Sequence, residues 1–238
     1  MKVAVISDVH GNLLALEAVL EDIARQGIDA TVALGDFVSG PFDARGVADR
    51  LMGLSLPSVR GNHDRFITDG RENDWEIDTL VRAGLDSRQL AWLGAIPETA
   101  VVEGEVFLCH GTPRDDNTVW MDGVDGEGRV YQRSRSYIEA EAAGFDYPVL
   151  LCGHSHIQRS LRLSDGRLIV NPGSVGMPMA LGSTDARYAV LEKLRSGWTV
   201  GLRAIRYDHP AAARQALEQG FPNWADAVST GWPLPRGY

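Results

Sequence analysis

The 238-residue sequence predicts an α/β fold, in which helices cover a parallel or mixed β-sheet and a second, largely antiparallel sheet packs against the first. Short apolar runs alternate with amphipathic stretches in the first quarter of the chain, which is the pattern of β-α-β units. The last third instead has apolar or alternating runs joined by turns such as Asp165-Gly166 and Ser196-Gly197, as antiparallel strands do. A hydrophobic content of 44% is enough to bury a sizeable core.

The first half of the chain is predicted to begin with a strand at residues 1–7. Leu13, Leu16, Leu20 and Ile23 then recur at helical spacing. A strand at 30–34, a helix at 47–54 and a strand at 57–60 follow. The next predicted elements are helical sequence at 74–94, divided by Gly84, and a hairpin of strands 99–102 and 105–109.

The second half begins with residues 112–133, which are polar, glycine-rich and aperiodic, and predict a long surface insertion. A helix at 134–143 and a strand at 149–152 come next. The predicted second sheet comprises residues 160–163, 167–171, 188–194 and 199–206, and a helix at 210–219 closes the fold. We therefore expect one domain over residues 1–238, with an insertion near 112–133 and an aromatic, proline-rich tail at 220–238. Trp224, Trp232 and Tyr238 anchor this irregular tail to the body or form an oligomer contact, so a homo-oligomer is left open.

The composition argues against several classes of partner. A net charge of −9 opposes binding to nucleic-acid phosphates or to anionic membranes, and a polyanionic substrate would need bound cations. The sequence has neither a long apolar run nor the features of a signal peptide, so we expect a cytoplasmic protein. Cys109 and Cys152 lack metal-site spacing and are expected to be buried, reduced thiols.

Five of the six histidines occur in short motifs, four of which contain glycine and each of which follows a predicted strand. The motifs are Asp8-Val9-His10, Gly35-Asp36, Gly61-Asn62-His63-Asp64, His110-Gly111 and Gly153-His154-Ser155-His156. Alone, an Asp-x-His pair is more typical of a hydrogen-bonded structural histidine, and Gly-Asp is typical of a turn. Together they indicate a two-metal hydrolytic centre, because ligands collect beyond the carboxyl ends of strands.

The spacing of the donors suggests how two cations would be held. Asp8 and His10 are two residues apart at a strand end, so both side chains point the same way. The Asp36 carboxylate can bridge two cations about 3.5 to 4 Å apart, and Asn62 and His110 supply neutral ligands. His154 and His156 can bind one ion or two different ions. Oxygen and imidazole ligands without thiolate suit Mn, Fe, Zn, Co or Ni better than Mg or Ca.

This set of motifs resembles that of the calcineurin-like metallophosphoesterase superfamily, in particular its small bacterial and archaeal phosphodiesterases. The resemblance covers residues 1–205 and includes the turn Asn171-Pro172-Gly173-Ser174. It implies a four-layer α/β/β/α sandwich with two mixed β-sheets. It also implies one metal held by Asp8, His10, Asp36 and His156, and a second held by Asp36, Asn62, His110 and His154.

The sequence departs from the family pattern after that turn. It has Gly176-Met177-Pro178-Met179 where close relatives are expected to have Gly-Gln-Pro-Arg. The resemblance implies an arginine at position 179 that contacts the substrate, and this sequence has a methionine there.

The catalytic hypothesis is in-line attack on phosphorus by a hydroxide that bridges two divalent cations, of which manganese is the leading candidate. His63 is predicted to protonate the leaving oxygen or stabilise its charge, and Asp64 to orient the His63 ring; the alternatives are a structural histidine and a helix cap. His209, outside the motifs, is assigned no chemistry.

The leading function is hydrolysis of a small or nucleotide-like phosphodiester, and a phosphomonoesterase with the same site is the alternative. A nuclease is disfavoured by the acidic charge, although Arg129, Arg133 and Arg135 could form a local basic patch. A non-catalytic scaffold is disfavoured because scaffold relatives lack the catalytic histidine, whereas His63 is present.

Overall fold

The computed structural model describes residues 1–69, 75–126, 129–180 and 182–231. In this part of the chain the elements are, in order, β1 (Lys2–Ile6), α1 (Leu13–Ala24), β2 (Ala30–Ala33), α2 (Ala44–Leu54), α3 (Asn62–Asp69), α4 (Glu76–Gly84), α5 (Ser87–Gly94), β3 (Ala100–Val102), β4 (Val106–Leu108), β5 (Asp122–Val124), β6 (Val130–Gln132), α6 (Arg135–Glu141), β7 (Val149–Leu151), β8 (Arg159–Arg162), β9 (Leu168–Asn171), β10 (Ala186–Leu194), β11 (Gly197–Ile205), α7 (His209–Glu218) and α8 (Pro222–Thr230).

Helix starts follow local capping chemistry. Asn12 accepts the N–H of Ala15 at the start of α1, and Asp208 accepts the N–H of Ala211 at the start of α7. Asp86 and Gln89 form a reciprocal capping box at α5, which separates this helix from α4. The predicted break in residues 74–94 is therefore confirmed within the described residues, which begin again at Trp75.

The two large sheets are both mixed, as the fold class requires. Sheet I has the strand order β11-β10-β1-β2, with β1 and β2 parallel and the other neighbours antiparallel. Sheet II has the order β3-β4-β7-β9-β8, with β4, β7 and β9 parallel to one another. The prediction that the last four strands form one second sheet is wrong, because β8 and β9 join sheet II while β10 and β11 join sheet I. Periodicity shows which face of a strand is buried but not which strand is its neighbour.

Side chains along the central strands alternate between the two faces of the sheet, and this alternation divides the core into layers. Val3 and Val5 of β1 point toward sheet II and form an inter-sheet core with Val106 and Val149. Ala4 and Ile6 point the other way, against helices that include α1, α2, α7 and α8. The outer face of sheet II packs against α6 and the 112–133 insertion. The predicted four-layer α/β/β/α sandwich is confirmed.

Three local predictions need correction. Residues 57–60 form a single parallel bridge between Ala33 and Ser58 rather than a strand, since Pro57 lacks the N–H that a longer ladder would use. The insertion is not purely irregular, because it contains the β5–β6 ribbon and the buried side chains of Trp120 and Met121. The tail contains α8, which buries Trp224; Trp232 and Tyr238 lie outside the described residues.

Cys109 and Cys152 are free and buried, as expected, and burial raises the pKa of both thiols. None of the helices in the described ranges is long and apolar enough to cross a membrane.

Candidate metal centre

The five motifs converge at one edge of the two sheets. Asp8 and His10 follow β1, Asp36 follows β2, His110 follows β4, and the Gly153–His156 loop follows β7. The parallel pairs β1–β2 and β4–β7 bring these carboxyl ends to the same side of the fold. Asn62 and His63 open α3 at the same edge.

The loops at this edge are strained. Five non-glycine residues here have positive φ angles between 48° and 65°: Asp8, His10, Asp36, His154 and His156. A left-handed backbone at a non-glycine residue costs about 1 to 3 kcal/mol and persists only when the surroundings enforce it. All five are predicted metal ligands, so the strain is concentrated where chemistry is expected.

Glycines let the loops approach the carboxylates closely. A Cβ atom at Gly61 would lie 2.1 Å from Oδ1 of Asp36, and one at Gly153 would lie 2.8 Å from Oδ2 of Asp8. Neither contact is sterically allowed, so these positions require glycine.

The first group of donors comprises Asp8, His10 and His156, whose ligand atoms lie within 4.8 Å of one another. Nδ1 of His10 lies 2.6 Å from the Ser39 carbonyl, and Nδ1 of His156 lies 2.8 Å from the Met177 carbonyl. Because a carbonyl oxygen only accepts, both Nδ1 atoms carry the hydrogen, and in the neutral rings both Nε2 atoms present lone pairs.

Those lone pairs face each other. The Nε2 atoms of His10 and His156 are 3.0 Å apart, and the buried Oδ1 atom of Asp8, 3.4 Å from Nε2 of His156, has no hydrogen-bond donor. Three electron-rich atoms without a shared proton repel one another unless a cation lies among them. The donor set therefore fits a divalent metal ion.

The second group comprises Asp36, His110 and His154, also within 4.8 Å. Nδ1 of His110 donates to the Leu34 carbonyl at 2.6 Å, and its Nε2 atom lies 3.1 Å from the amide oxygen of Asn62. His154 has the opposite tautomer, because its Nε2 atom donates to the Asn117 carbonyl at 3.0 Å. Its Nδ1 atom is thus the one available to a metal.

Asp36, a member of the second group, also approaches the first group. Its Oδ2 atom is 3.1 Å from Nε2 of His110 in the second group and 4.0 Å from Nε2 of His10 in the first. The seven predicted ligands are thus brought together around a shared carboxylate, and their binding of metal stays a prediction.

The electrostatics favour the neutral imidazole at two of the candidate ligands, His10 and His154. At His110 burial lowers the pKa, but the charges of Asp36 and Asp8 outweigh it and raise that pKa to about 10. Burial, reinforced by His156, lowers the pKa of His10 to about 3, and burial, reinforced by His110, lowers the pKa of His154 to about 4. Burial opposes ionisation of Asp36, but His110 and His63 hold its pKa well below the usual range. Neutral histidine and ionised carboxylate are the forms that coordinate metals.

His63 is held by a residue that the motifs do not contain. Its Nδ1 atom donates to the carboxylate of Asp78 on α4, 3.0 Å from Oδ2, and the Ser39 hydroxyl donates to the same carboxylate. Burial lowers the pKa of His63, but Asp36 and Asp78 together raise it above its ordinary value. With Nδ1 engaged, Nε2 is the ring nitrogen available to the cleft.

The prediction that Asp64 orients His63 is wrong. The Asp64 carboxylate instead accepts the backbone N–H groups of Asp36 at 2.8 Å, Phe37 at 2.9 Å and Gly61 at 2.9 Å. Burial and the charge of Asp36 raise its pKa to about 7. Asp64 fastens the Gly35-Asp36 loop to the Gly61-Asn62 loop and does not contact the His63 ring.

Sequence reasoning missed Asp78 because no glycine or histidine accompanies it. It lies between Ile77 and Val81, both on the buried face of α4, and is itself buried. An acidic residue on the apolar face of an amphipathic helix is the signal that could have identified it, because a buried carboxylate needs a partner.

We expect Asp78→Asn to lower kcat for a diester with an alkoxide leaving group by about 10- to 100-fold while leaving metal content unchanged, the range for a residue that orients a functional histidine. In a His63→Ala background the same change should cost little more, because the ring it orients is already gone. Steady-state kinetics and elemental analysis check both points. Glu76→Gln, at an exposed position of the same helix, is the control. If Asp78→Asn lowered kcat as much in the His63→Ala background as in the wild-type background, this would contradict the role of Asp78 in orienting His63.

The 112–133 insertion forms part of the site. Its Asn117 carbonyl fixes the tautomer of His154, and its buried Asp122 accepts bonds from Ser155 and Arg159. Arg65 on α3 donates two hydrogen bonds of 2.7 Å to Asp116. The insertion thus links the histidine loop after β7 to the rest of the centre.

A cleft of about 180 Å³ opens over the donors. Its described lining is His10, Asp36, Asn62, His63, Trp75, Asn117, His154, His156, Met177, Met179 and Trp224. The two methionines that replace the expected family residues therefore lie beside the candidate metal centre.

Known proteins share this architecture. A crystal structure of a metallophosphoesterase from Sphaerobacter thermophilus matches with 27% identity and a TM-score of 0.77, over 98% of this chain and 99% of that one. Hypothetical protein PH1004 from Pyrococcus horikoshii OT3 has the same fold, with 21% identity and a TM-score of 0.77, over 98% and 99% of the two chains. The uncharacterized protein MJ0912 of Methanocaldococcus jannaschii is 27% identical over 254 residues, 93% of this chain and 94% of the relative.

The family model for the calcineurin-like phosphoesterase superfamily domain matches residues 1–194, a range that contains all five motifs. Members of this superfamily depend on metal ions, in agreement with the two groups of possible metal ligands. Sequence, fold and site agree, and the chain belongs to the calcineurin-like phosphoesterase superfamily.

Proposed function

We propose that the protein is a dinuclear metal-dependent phosphodiesterase that hydrolyses a small or nucleotide-like phosphodiester, with manganese as the leading candidate metal. The observation that carries the proposal is the pair of donor groups sharing Asp36, with the His63 ring beside them. Asp8, His10, Asp36 and His156 would hold one ion, and Asp36, Asn62, His110 and His154 the other.

When bound, two divalent ions supply the acidity that activates water and the positive charge that offsets the phosphate. The chain's own residues do the rest. His63 donates a proton from Nε2 to the leaving oxygen, and Asp78 holds the ring and stabilises its protonated form. Asp64 holds the loops that carry Asp36 and Asn62 in register through its three backbone contacts.

A diester is favoured over a monoester by the cleft lining. A monoester dianion carries more charge than a diester, yet no Arg or Lys is among the described lining residues. A second, neutral ester group would instead lie against Trp75, Met179 and Trp224. A phosphomonoesterase with the same metal centre is the second candidate.

The test begins with protein stripped of metal by a chelator and reloaded with Mn²⁺. We expect activity on bis(p-nitrophenyl) phosphate to vanish on stripping and to return with Mn²⁺ more than with Mg²⁺ or Ca²⁺. We also expect kcat/KM for this diester to exceed that for p-nitrophenyl phosphate. Faster monoester turnover would favour the phosphomonoesterase, and full metal occupancy without hydrolysis of any phosphoester would favour a scaffold.

A further inference from the structure

One side of the cleft is an apolar wall formed by Trp75, Met177, Met179 and Trp224. Met177 and Trp224 are buried, with exposed fractions of 4% and 6%, whereas Trp75 and Met179 are half-buried. Beyond this wall, the described lining consists of His63, the candidate metal ligands and the uncharged Asn117. Among these described residues, the wall offers an apolar surface for a ligand and has no charged side chain of its own.

The apolar wall is built onto the reaction centre rather than apart from it. The Trp75 ring lies 5.3 Å from the His63 ring, and the Trp224 ring lies 5.8 Å from the His10 ring, centroid to centroid. The backbone of Met177 accepts from His156, and the backbone N–H of Met179 donates to the His156 carbonyl at 3.3 Å. A group esterified to a phosphate at the metal centre would therefore contact this wall.

The chemistry of the apolar wall restricts that group. A charged substituent placed there would lose water without gaining a partner among the described wall residues, which is unfavourable. A flat, uncharged ring would bury apolar area and could pack against the indole of Trp75. From this geometry we infer that the enzyme selects phosphoesters whose organic group is uncharged and aromatic, and that Trp75 and Met179 determine this specificity. The inference rests on the proposed phosphodiesterase function.

The test uses two diesters that share p-nitrophenolate as leaving group and differ in the second ester group. These are phenyl p-nitrophenyl phosphate and methyl p-nitrophenyl phosphate, and each kcat/KM is divided by the rate of alkaline hydrolysis of the same ester. With Mn²⁺-loaded protein we expect a preference for the phenyl ester on the order of 10-fold or more, from burial of the ring.

Trp75→Ala should bring this preference close to unity. The preference is a ratio, so a loss of turnover caused by the contact between Trp75 and His63 cancels. Trp92→Ala is the matched control, because it removes a half-buried indole that packs against Phe37 and does not line the cleft. This control should keep the preference.

A second variant tests the charge argument in the opposite direction. Wild-type protein should disfavour (4-carboxyphenyl) p-nitrophenyl phosphate relative to the phenyl ester. Met179→Arg should reduce that discrimination several-fold, because its guanidinium would pair with the carboxylate of the ester. An effect of several-fold is the size expected for a partly exposed ion pair. Met179→Leu should leave it unchanged.

The outcomes separate the two proposals. If both diesters are hydrolysed with equal normalised rates, or if Trp75→Ala and Trp92→Ala give the same preference, the specificity inference is wrong and the phosphodiesterase stands. If the Mn²⁺-loaded protein hydrolyses none of the esters, the proposed function itself fails, and the inference fails with it.

Discussion

Asp36→Asn is expected to empty at least one metal position and to lower kcat/KM by about 10³-fold or more. Several kcal/mol of charge stabilisation in the transition state would be lost, and each loss of about 1.4 kcal/mol corresponds to a tenfold lower rate. The carboxylate lies 3.1 Å from Nε2 of His110 and 4.0 Å from Nε2 of His10, so it is close to both donor groups. Asparagine has nearly the same shape but no charge, and it offers one oxygen rather than two. Elemental analysis after desalting, together with kinetics at saturating Mn²⁺, measures both effects.

Asp43→Asn is the matched control for that experiment. Asp43 is an exposed carboxylate that caps α2 by accepting the N–H of Gly46, and asparagine is an equally good cap. Its metal content and activity should equal those of wild type. Retention of two metals by Asp36→Asn with unchanged affinity would show that Asp36 does not bridge the groups.

His63→Ala is expected to lower turnover of a diester with an alkoxide leaving group by about 10²- to 10⁴-fold, the range for loss of a general acid, with metal content unchanged. The imidazole belongs to neither donor group, since its Nδ1 atom is engaged by Asp78. Removing it therefore removes the proton donor without removing a ligand. The loss should be small for a p-nitrophenolate leaving group, which needs no proton, and large for an alkoxide.

The comparison of leaving groups separates catalysis from structure. A structural defect would lower both rates alike, whereas loss of the acid steepens the dependence on leaving-group pKa. His209→Ala at the start of α7 serves as control, because this histidine lies outside the cleft lining. Equal turnover of an alkyl diester by His63→Ala and wild-type protein would refute the acid role.

The sequence was sufficient to predict the elements that carry the site. Asp8, Asp36, His110 and His154 each follow a buried strand, and the carboxyl ends of parallel strands meet at one edge. A local signal, Gly84, also placed the break between α4 and α5. These predictions succeed because short-range chemistry determines them.

The features that were missed depend on contacts between distant parts of the chain. Asp78 reaches His63 across 15 positions, and Trp224 reaches His10 from the far end of the sequence. Asn117 acts through its backbone carbonyl, so the type of its side chain gives no indication of this contact. The assignment of β8 to β11 to two sheets likewise depends on strand pairing, which an alternating pattern leaves open.

The central claim is a paired metal centre organised around Asp36. The most direct test is anomalous diffraction at the manganese edge from crystals of the Mn²⁺-loaded protein. The account predicts two peaks about 3.5 to 4 Å apart, one among Asp8, His10 and His156 and one among Asp36, His110 and His154. A single peak, or peaks away from these residues, would contradict it.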